Sequence, residues 1–215
     1  MLDFSIVWSS MPFLLTGAAW TVIYSLVSVA IGFLIAVPVC SASLSGSPVL
    51  RAVAAFYVSF FRGVPLIVQL LIAYYVLPSL GLNISSASAA LGALSVCTAA
   101  YQAEILRGGF LGVAPGQLEA ARMLGLSRMQ IVTRIEVPQA VRLTAPLLIN
   151  EVTMMVKASS LISVVGILEL TRTAQNIATS TFQPLEIYLA AGVLYLAING
   201  AVAYLGTVGH RQLAA

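Results

Sequence analysis

The chain has 215 residues, of which 60% are hydrophobic and only 8% are charged. Soluble globular chains are typically about 45–50% apolar and about 25% charged, so this composition excludes an ordinary soluble domain and indicates a membrane-embedded one. The formal charge of +3 comes from arginines spread over several loops, which argues against a nucleic-acid partner and favours the positive-inside bias of membrane proteins.

Five apolar runs are long enough to cross a bilayer, which takes about 20 mostly apolar residues as a helix. We therefore predict an all-α membrane protein, with residues 1–215 forming a single domain. A further short amphipathic helix is expected in the external link 168–184, and Pro146 should kink or break the fourth span. The five predicted transmembrane helices lie at about residues 12–43, 52–78, 85–107, 138–167 and 185–208.

The arginines of the loops predict the orientation of these spans. One side of the predicted membrane holds Arg172, together with the acidic residues Asp3, Glu169 and Glu186. Because cytoplasmic loops are enriched in Lys and Arg, we predict that the N-terminus is outside and the C-terminus is cytoplasmic. The cytoplasmic side then comprises loops 44–51 and 108–137 and the C-terminal tail, with Arg51, Arg122, Arg128, Arg134 and Arg211.

Much of the scarce charge lies in one segment between spans three and four, GQLEAARMLGLSRMQIVTRIEVPQA, residues 116–140. Pro115 favours a helix start, Gly125 suits a helix end, and Ser127 suits the N-cap of a second helix over residues 128–136. We therefore predict two short cytoplasmic helices at about 115–137. The residues alone leave two interpretations open: the pair lies on lipid headgroups, or it docks into a groove of a soluble partner.

The same segment carries a recognisable motif. Glu119-Ala120-Ala121, followed by Gly125, Ile135 and Pro138, reproduces the spacing E-A-A-x3-G-x9-I-x-L-P, with Val137 at the Leu position. The blocks FFRGVPLIVQLLIAYYVLP, AAYQAEILRGG and VKASSLISVVGILEL accompany it in order along the chain. Together they resemble the membrane (permease) subunits of ABC importers for polar amino acids, of the histidine, glutamine and arginine type, over about residues 12–208.

The resemblance implies a translocation subunit that is not itself an enzyme and lies, as a multi-pass protein, in the bacterial inner membrane. Its EAA segment would insert into a cytoplasmic ATPase, with coupling residues Glu119, Ala120, Ala121, Arg122 and Gly125. Two permeases, identical or related, would pair with two ATPases, and an extracytoplasmic binding protein would deliver the amino acid. The chain has no G-x-x-x-x-G-K-[ST] loop of its own, in keeping with ATP hydrolysis by a partner.

Charged residues inside apolar runs are the first candidates for substrate contact, since each costs about 2.5–3.5 kcal/mol on insertion scales. Glu151 suits a cationic group and Arg62 an anionic one. Gly63, Val64 and Pro65 would interrupt span two and free backbone groups at depth. Two alternatives stay open: Glu151 forms an internal ion pair with Arg62 or Lys157, or Arg62 is a structural arginine.

Asn150, Gln69 and Ala158 complete the predicted substrate site. Asn150 and Gln69 are polar residues in apolar runs that would add hydrogen bonds to substrate or join helices. Ala158 is seven residues after Glu151 and shares its helix face. The arginine-binding members that the chain resembles carry a second carboxylate at this position, so its absence weakens selectivity for arginine or lysine. Cationic substrates are the first expectation, with neutral polar and opine-like ones still open.

Motifs for other functions are missing from the sequence. There is no H-E-x-x-H, no paired Cys-x-x-Cys and no G-x-S-x-G, and Cys40 and Cys97 lie in apolar runs as small buried residues. We therefore expect no metal site and no cofactor. The alternative function is an ion-coupled secondary amino-acid carrier, and an intramembrane enzyme would have only Glu151 and Lys157 to offer as a catalytic pair.

Overall fold

The computed structural model describes residues 4–214, with side chains described for residues 4–209, and every regular element in that part of the chain is helical. The all-helical fold class is thus confirmed. Four helices are long and apolar enough to cross a membrane, or five if the bent pair α2–α3 counts as one span. The helices are α1 Ser5–Ser43, α2 Pro48–Gly63, α3 Leu66–Ser79, α4 Ser86–Leu111, α5 Pro115–Met123, α6 Arg128–Val165, α7 Leu170–Thr181 and α8 Pro184–Ala214.

Helix α4 forms the centre of the bundle because it is rich in alanine and serine, and it is buried over most of its length. Its small side chains let the neighbouring backbones approach closely. A Cβ atom on Gly32 of α1 would lie 2.5 Å from Cγ2 of Thr98, and one on Gly109 would clash with Cγ2 of Thr144 in α6. Helices α1 and α4 run in the same direction. The segment α2–α3, which connects them along the chain, therefore runs in the opposite direction.

The return segment is broken where the sequence predicts an interruption. Helix α2 ends at Gly63, α3 begins at Leu66, and the two are bent by 101°. A residue before proline is held in extended conformation, and Val64 has φ −89° and ψ 130° ahead of Pro65. The proline also lacks an N–H, so the helical hydrogen-bond ladder stops here.

Two details of the predicted helices are wrong. Residues 128–136 do not form a separate short helix, because α6 runs without a break from Arg128 through a π-helical turn at Val132–Glu136 and past Pro138. The fourth span is not broken at Pro146 either, since that exposed proline lies inside the α-helical part Val137–Ala158 and a membrane helix tolerates its ring there. The change comes later, where Ser159–Val165 tightens to a 3-10 helix.

Helix α7 provides the helix expected in the 168–184 link, and a buried carboxylate fixes it. The side chain of Glu169 caps α7 by accepting from the backbone N–H groups of Thr171 at 2.9 Å and Arg172 at 2.7 Å. It also accepts from the hydroxyls of Thr21 in α1 at 3.3 Å and Tyr195 in α8 at 2.9 Å. One side chain therefore joins α1, α7 and α8.

Candidate functional site

One amide side chain, that of Gln69, satisfies backbone carbonyls left free by the break between α2 and α3. Nε2 of the buried Gln69 donates to the backbone oxygens of Phe61 at 2.9 Å and Val64 at 2.8 Å, two carbonyls that the interrupted helix leaves without helical partners. Its Oε1 is buried and has no hydrogen-bond partner among the described residues. Gln69 thus stabilises the interruption at residues 62–65, and its N–H groups are already used.

Arg62 lies in the last turn of α2, next to this break, and its side chain is exposed. Its guanidinium lies 5.3 Å from the ring centroid of Tyr101 in α4, a distance at which cation and aromatic ring attract. Gly63 and Pro65 beside it are exposed, and Val64 is half-buried. The residues of the interruption are therefore largely exposed beside α4.

Glu151 lies in α6, packed against α4, and is only 8% exposed. Its Oε1 accepts a hydrogen bond of 2.9 Å from the hydroxyl of Thr98. Nε2 of Gln102 donates to the same hydroxyl oxygen at 3.1 Å and to the backbone oxygen of Val29 at 3.1 Å. Because the oxygen of Thr98 already accepts from Gln102, its one hydrogen is directed to Glu151.

The second carboxylate oxygen of Glu151 remains open. Oε2 makes no hydrogen bond with a described residue, and it is not fully shielded from solvent. Glu151 forms no ion pair with Arg62 or Lys157 among the described residues, so this structure does not contain the alternative pair. The geometry leaves one face of this carboxylate free to accept from a ligand.

The remaining predicted substrate residues lie elsewhere on α6. Asn150 and Lys157 are exposed, and neither side chain has a hydrogen bond or ion pair with the described residues. Ala158, the last residue of the α-helical part of α6, packs against the apolar cluster around Leu70 and Met155. The structure thus brings Arg62 and Glu151 to α4 at positions three residues apart, Tyr101 and Thr98, and places Ala158 in the apolar packing.

Helix α5 contains the motif residues predicted to couple to an ATPase. Glu119, Ala120 and Arg122 are exposed, whereas Ala121 is buried and turns back toward the bundle. Gly125 follows the helix with φ +78°, a conformation that glycine adopts without strain, and it ends α5 as predicted. The predicted N-cap Ser127 is also confirmed, since it forms a reciprocal capping box with Gln130.

Sequence reasoning missed several residues next to these sites. Met123 is 90% exposed and Leu124 82% exposed at the end of α5, and they form an apolar tip beside the charged face. Thr98 and Gln102, which hold Glu151, lie four residues apart in α4. Polar side chains at this helical spacing in an apolar run were the available signal, but only the fold shows that they face Glu151.

The described residues contain no group of three or more His, Cys, Asp or Glu able to hold a metal ion. Cys40 and Cys97 are both buried and free, as their apolar surroundings predict. The groups available to a ligand here are Arg62, Glu151 and the exposed backbone around residue 63, which can form hydrogen bonds and pair charges.

Comparison with known proteins shows the family of this chain. Residues 28–208 match the family of the binding-protein-dependent transport system inner membrane component. The octopine transport system permease protein OccM of Rhizobium meliloti is 39% identical over 89% of this chain and 82% of its own length. The arginine transport system permease protein ArtQ of Bacillus subtilis is 34% identical over 99% of this chain and 97% of its own.

Solved structures show the same fold. A crystal structure of an amino acid ABC transporter with histidines superposes with a TM-score of 0.93 at 33% identity, covering 99% of both chains. An inward-facing MetNI methionine ABC transporter superposes with a TM-score of 0.80 at 22% identity, covering 95% of this chain and 98% of the other, which shows the fold alone. This chain therefore belongs to the family of binding-protein-dependent transport system inner membrane components, and it is a transport subunit rather than an enzyme.

Proposed function

We propose that this chain forms the translocation pathway of an ATP-driven importer for polar amino acids. A separate ATPase would supply the energy through α5, and an extracytoplasmic binding protein would deliver the substrate. A second permease subunit, the same chain or a related one, would complete the pathway within the membrane lipid. The two named relatives are permease proteins of octopine and arginine transport systems, which supports an amino-acid or opine substrate.

The observation that carries this proposal is the surface of α5. A helix resting on lipid headgroups would turn one continuous apolar side toward the lipid along its whole length. Here Met123 and Leu124 are exposed at the tip, next to the exposed charges of Glu119 and Arg122. An apolar anchor surrounded by charges is the arrangement by which one protein docks into a pocket of another.

The pathway is proposed to recognise both charges of an amino acid. The free Oε2 of Glu151 would accept from a cationic group of the substrate, while Arg62 would pair with its carboxylate. The exposed Gly63 and Asn150 would line the approach. Because one carboxylate serves the cation, we propose preference for polar, including cationic, amino acids without strict selection of arginine or lysine.

The coupling role can be tested in proteoliposomes that contain the permease, its co-expressed ATPase and its binding protein. We expect uptake of a labelled amino acid to require ATP and the ATPase, and Glu119→Lys to abolish uptake or release the ATPase. Uptake driven by an ion gradient without ATP would contradict the proposal and favour a secondary carrier.

A pair of exposed leucines provides a matched control. Leu124 is at the tip of α5, and Leu82, 55% exposed, lies in the loop at the opposite end of α4. Leu124→Ser should reduce co-purification of the ATPase, whereas Leu82→Ser should not. Equal retention of the ATPase by both variants would show that the tip of α5 is not its anchor.

A further inference from the structure

A polar cavity lies at the end of the bundle from which α5 extends. It has a volume of ≈ 410 Å³ and lies between the end of α1, helix α2 and the last turns of α4. Three arginines and one glutamate line it, namely Arg51, Arg62, Arg107 and Glu104, together with Ser43 and Ser59. Its side chains therefore carry an excess of positive charge in a mostly apolar chain.

The charges of this cavity are only partly compensated by the protein. Arg107 forms an ion pair with Glu104 through two hydrogen bonds, which leaves part of its guanidinium free. Arg62, at the other end of α2, lies over Tyr101 and belongs to the pathway described above. The side chain of Arg51 is exposed and makes no hydrogen bond or ion pair within the described part of the chain.

Around helix α2, the exposed side chains change from basic to small and then to large and apolar. Arg51 marks its basic edge, the small residues Ala52 and Ala55 come next, and the exposed Val53 and Phe56 lie beyond them. At 100° per residue, these positions form one continuous surface from a basic cavity to a ridge of large apolar side chains. A ligand with an anionic head and apolar chains would match this surface along its whole width.

We propose that this cavity binds the phosphate headgroup of an anionic phospholipid. Arg51 and the free side of Arg107 hold the phosphate, because guanidinium groups match phosphate oxygens in charge and geometry. The acyl chains lie over Ala52 and Ala55 against Phe56. Basic cavities between membrane helices at the level of the headgroups bind anionic lipids in this manner.

The test uses the full-length permease purified with its partner subunits and incubated with an equal mixture of phosphatidylglycerol and phosphatidylcholine in detergent. Bound lipid is counted by native mass spectrometry. We expect wild type to retain phosphatidylglycerol preferentially, and Arg51→Gln to retain about fivefold less, the factor for the roughly 1 kcal/mol that one basic residue contributes near an anionic surface. Bound phosphatidylcholine should not change, which also shows that the variant is folded.

Arg134→Gln is the matched control, since Arg134 is exposed near the same end of the bundle but does not line the cavity. It should retain phosphatidylglycerol as wild type does. Equal loss in both variants, or no loss in Arg51→Gln, would overturn the proposal. Excess inorganic phosphate distinguishes the sources: continued retention of phosphatidylglycerol supports the lipid, and its full displacement would assign the cavity to a soluble phosphate group instead.

Discussion

Two buried glutamates of this chain have opposite surroundings. Glu169 is 0% exposed, and its carboxylate accepts four hydrogen bonds, from two backbone N–H groups and the hydroxyls of Thr21 and Tyr195. Glu151 is 8% exposed and accepts one hydrogen bond, from Thr98. Both are acidic residues in an apolar chain, yet the protein satisfies only the first of them.

The difference separates a structural carboxylate from one with capacity left for a ligand. Buried polar groups are normally satisfied by the protein, so an unsatisfied one calls for an explanation. At Glu169 burial raises the pKa of the carboxyl group, and the four hydrogen bonds oppose this rise by favouring the ionised form. At Glu151 the second oxygen is not sealed from solvent, so a substrate can supply the donors that the protein does not.

The largest expected effect is on stability, from Glu169→Ala. The substitution removes the N-cap of α7 and the acceptor of the buried Thr21 hydroxyl, and it leaves Tyr195 with Thr171 as its one side-chain partner. Loss of a cap costs about 1 kcal/mol and each buried unsatisfied group about 1–3 kcal/mol, so we expect a loss of about 3 kcal/mol or more. Thermal unfolding of the purified protein in detergent measures this.

Glu169→Gln provides the graded comparison, because an amide keeps one acceptor oxygen for these donors. It should fall between wild type and Glu169→Ala in stability. If Glu169→Ala unfolds at the wild-type temperature, the four hydrogen bonds contribute nothing and the contrast between the two glutamates loses its basis.

The next effect is on transport, from Glu151→Gln. The amide oxygen can still accept from Thr98, so the helix contacts are kept, whereas the negative charge is lost. A hydrogen bond to a charged group contributes about 1.5–3 kcal/mol, so the KM for a cationic or zwitterionic substrate should rise by about tenfold or more. Concentration-dependent uptake into proteoliposomes gives this value.

The substitution of glutamine for glutamate can be compared at positions 151 and 169, with opposite effects expected on KM and on stability. Glu151→Gln should raise the KM with little loss of thermal stability, and Glu169→Gln should lower stability with little change in the KM. A raised KM in both variants, or in neither, would argue that Glu151 is not distinguished by its open oxygen.

The fold follows largely from patterns that the sequence displays. Long apolar runs predict the membrane helices, and the sequence Gly63-Val64-Pro65 predicts the break between α2 and α3. Residues whose effect depends on neighbours were predicted less well. Pro146 and Pro138 look like helix breakers in one dimension, but α6 runs through both because its exposed surface and a π-helical turn accommodate the proline rings.

The site was only half visible in the sequence, for a physical reason. Charge inside an apolar run is costly, so Glu151 and Arg62 stand out without a structure. Their partners are neutral residues such as Thr98 and Gln102, whose presence in a membrane helix costs little and therefore signals little. Gln69 was expected to contact substrate or to join helices, and the structure shows its amide on the carbonyls of the helix break.

The smallest expected effect comes from Thr98→Val, which replaces the hydroxyl by a methyl group of similar size. Glu151 then loses its one protein donor and is no longer held in its orientation, while Gln102 keeps its bond to the backbone oxygen of Val29. A hydrogen bond contributes about 1 kcal/mol net, so the KM should rise about fivefold. Uptake as a function of substrate concentration separates this change from a change in Vmax.

Thr98→Ser decides whether Thr98 acts through its hydroxyl or through packing. Serine keeps the donor to Glu151 but loses the methyl group that lies against Gly32, where a Cβ would be 2.5 Å away. If Thr98 orients the carboxylate, serine restores the wild-type KM and valine does not. If its methyl group matters instead, valine behaves as wild type, serine lowers Vmax through a less stable bundle, and the hydrogen bond to Glu151 has no part in substrate recognition.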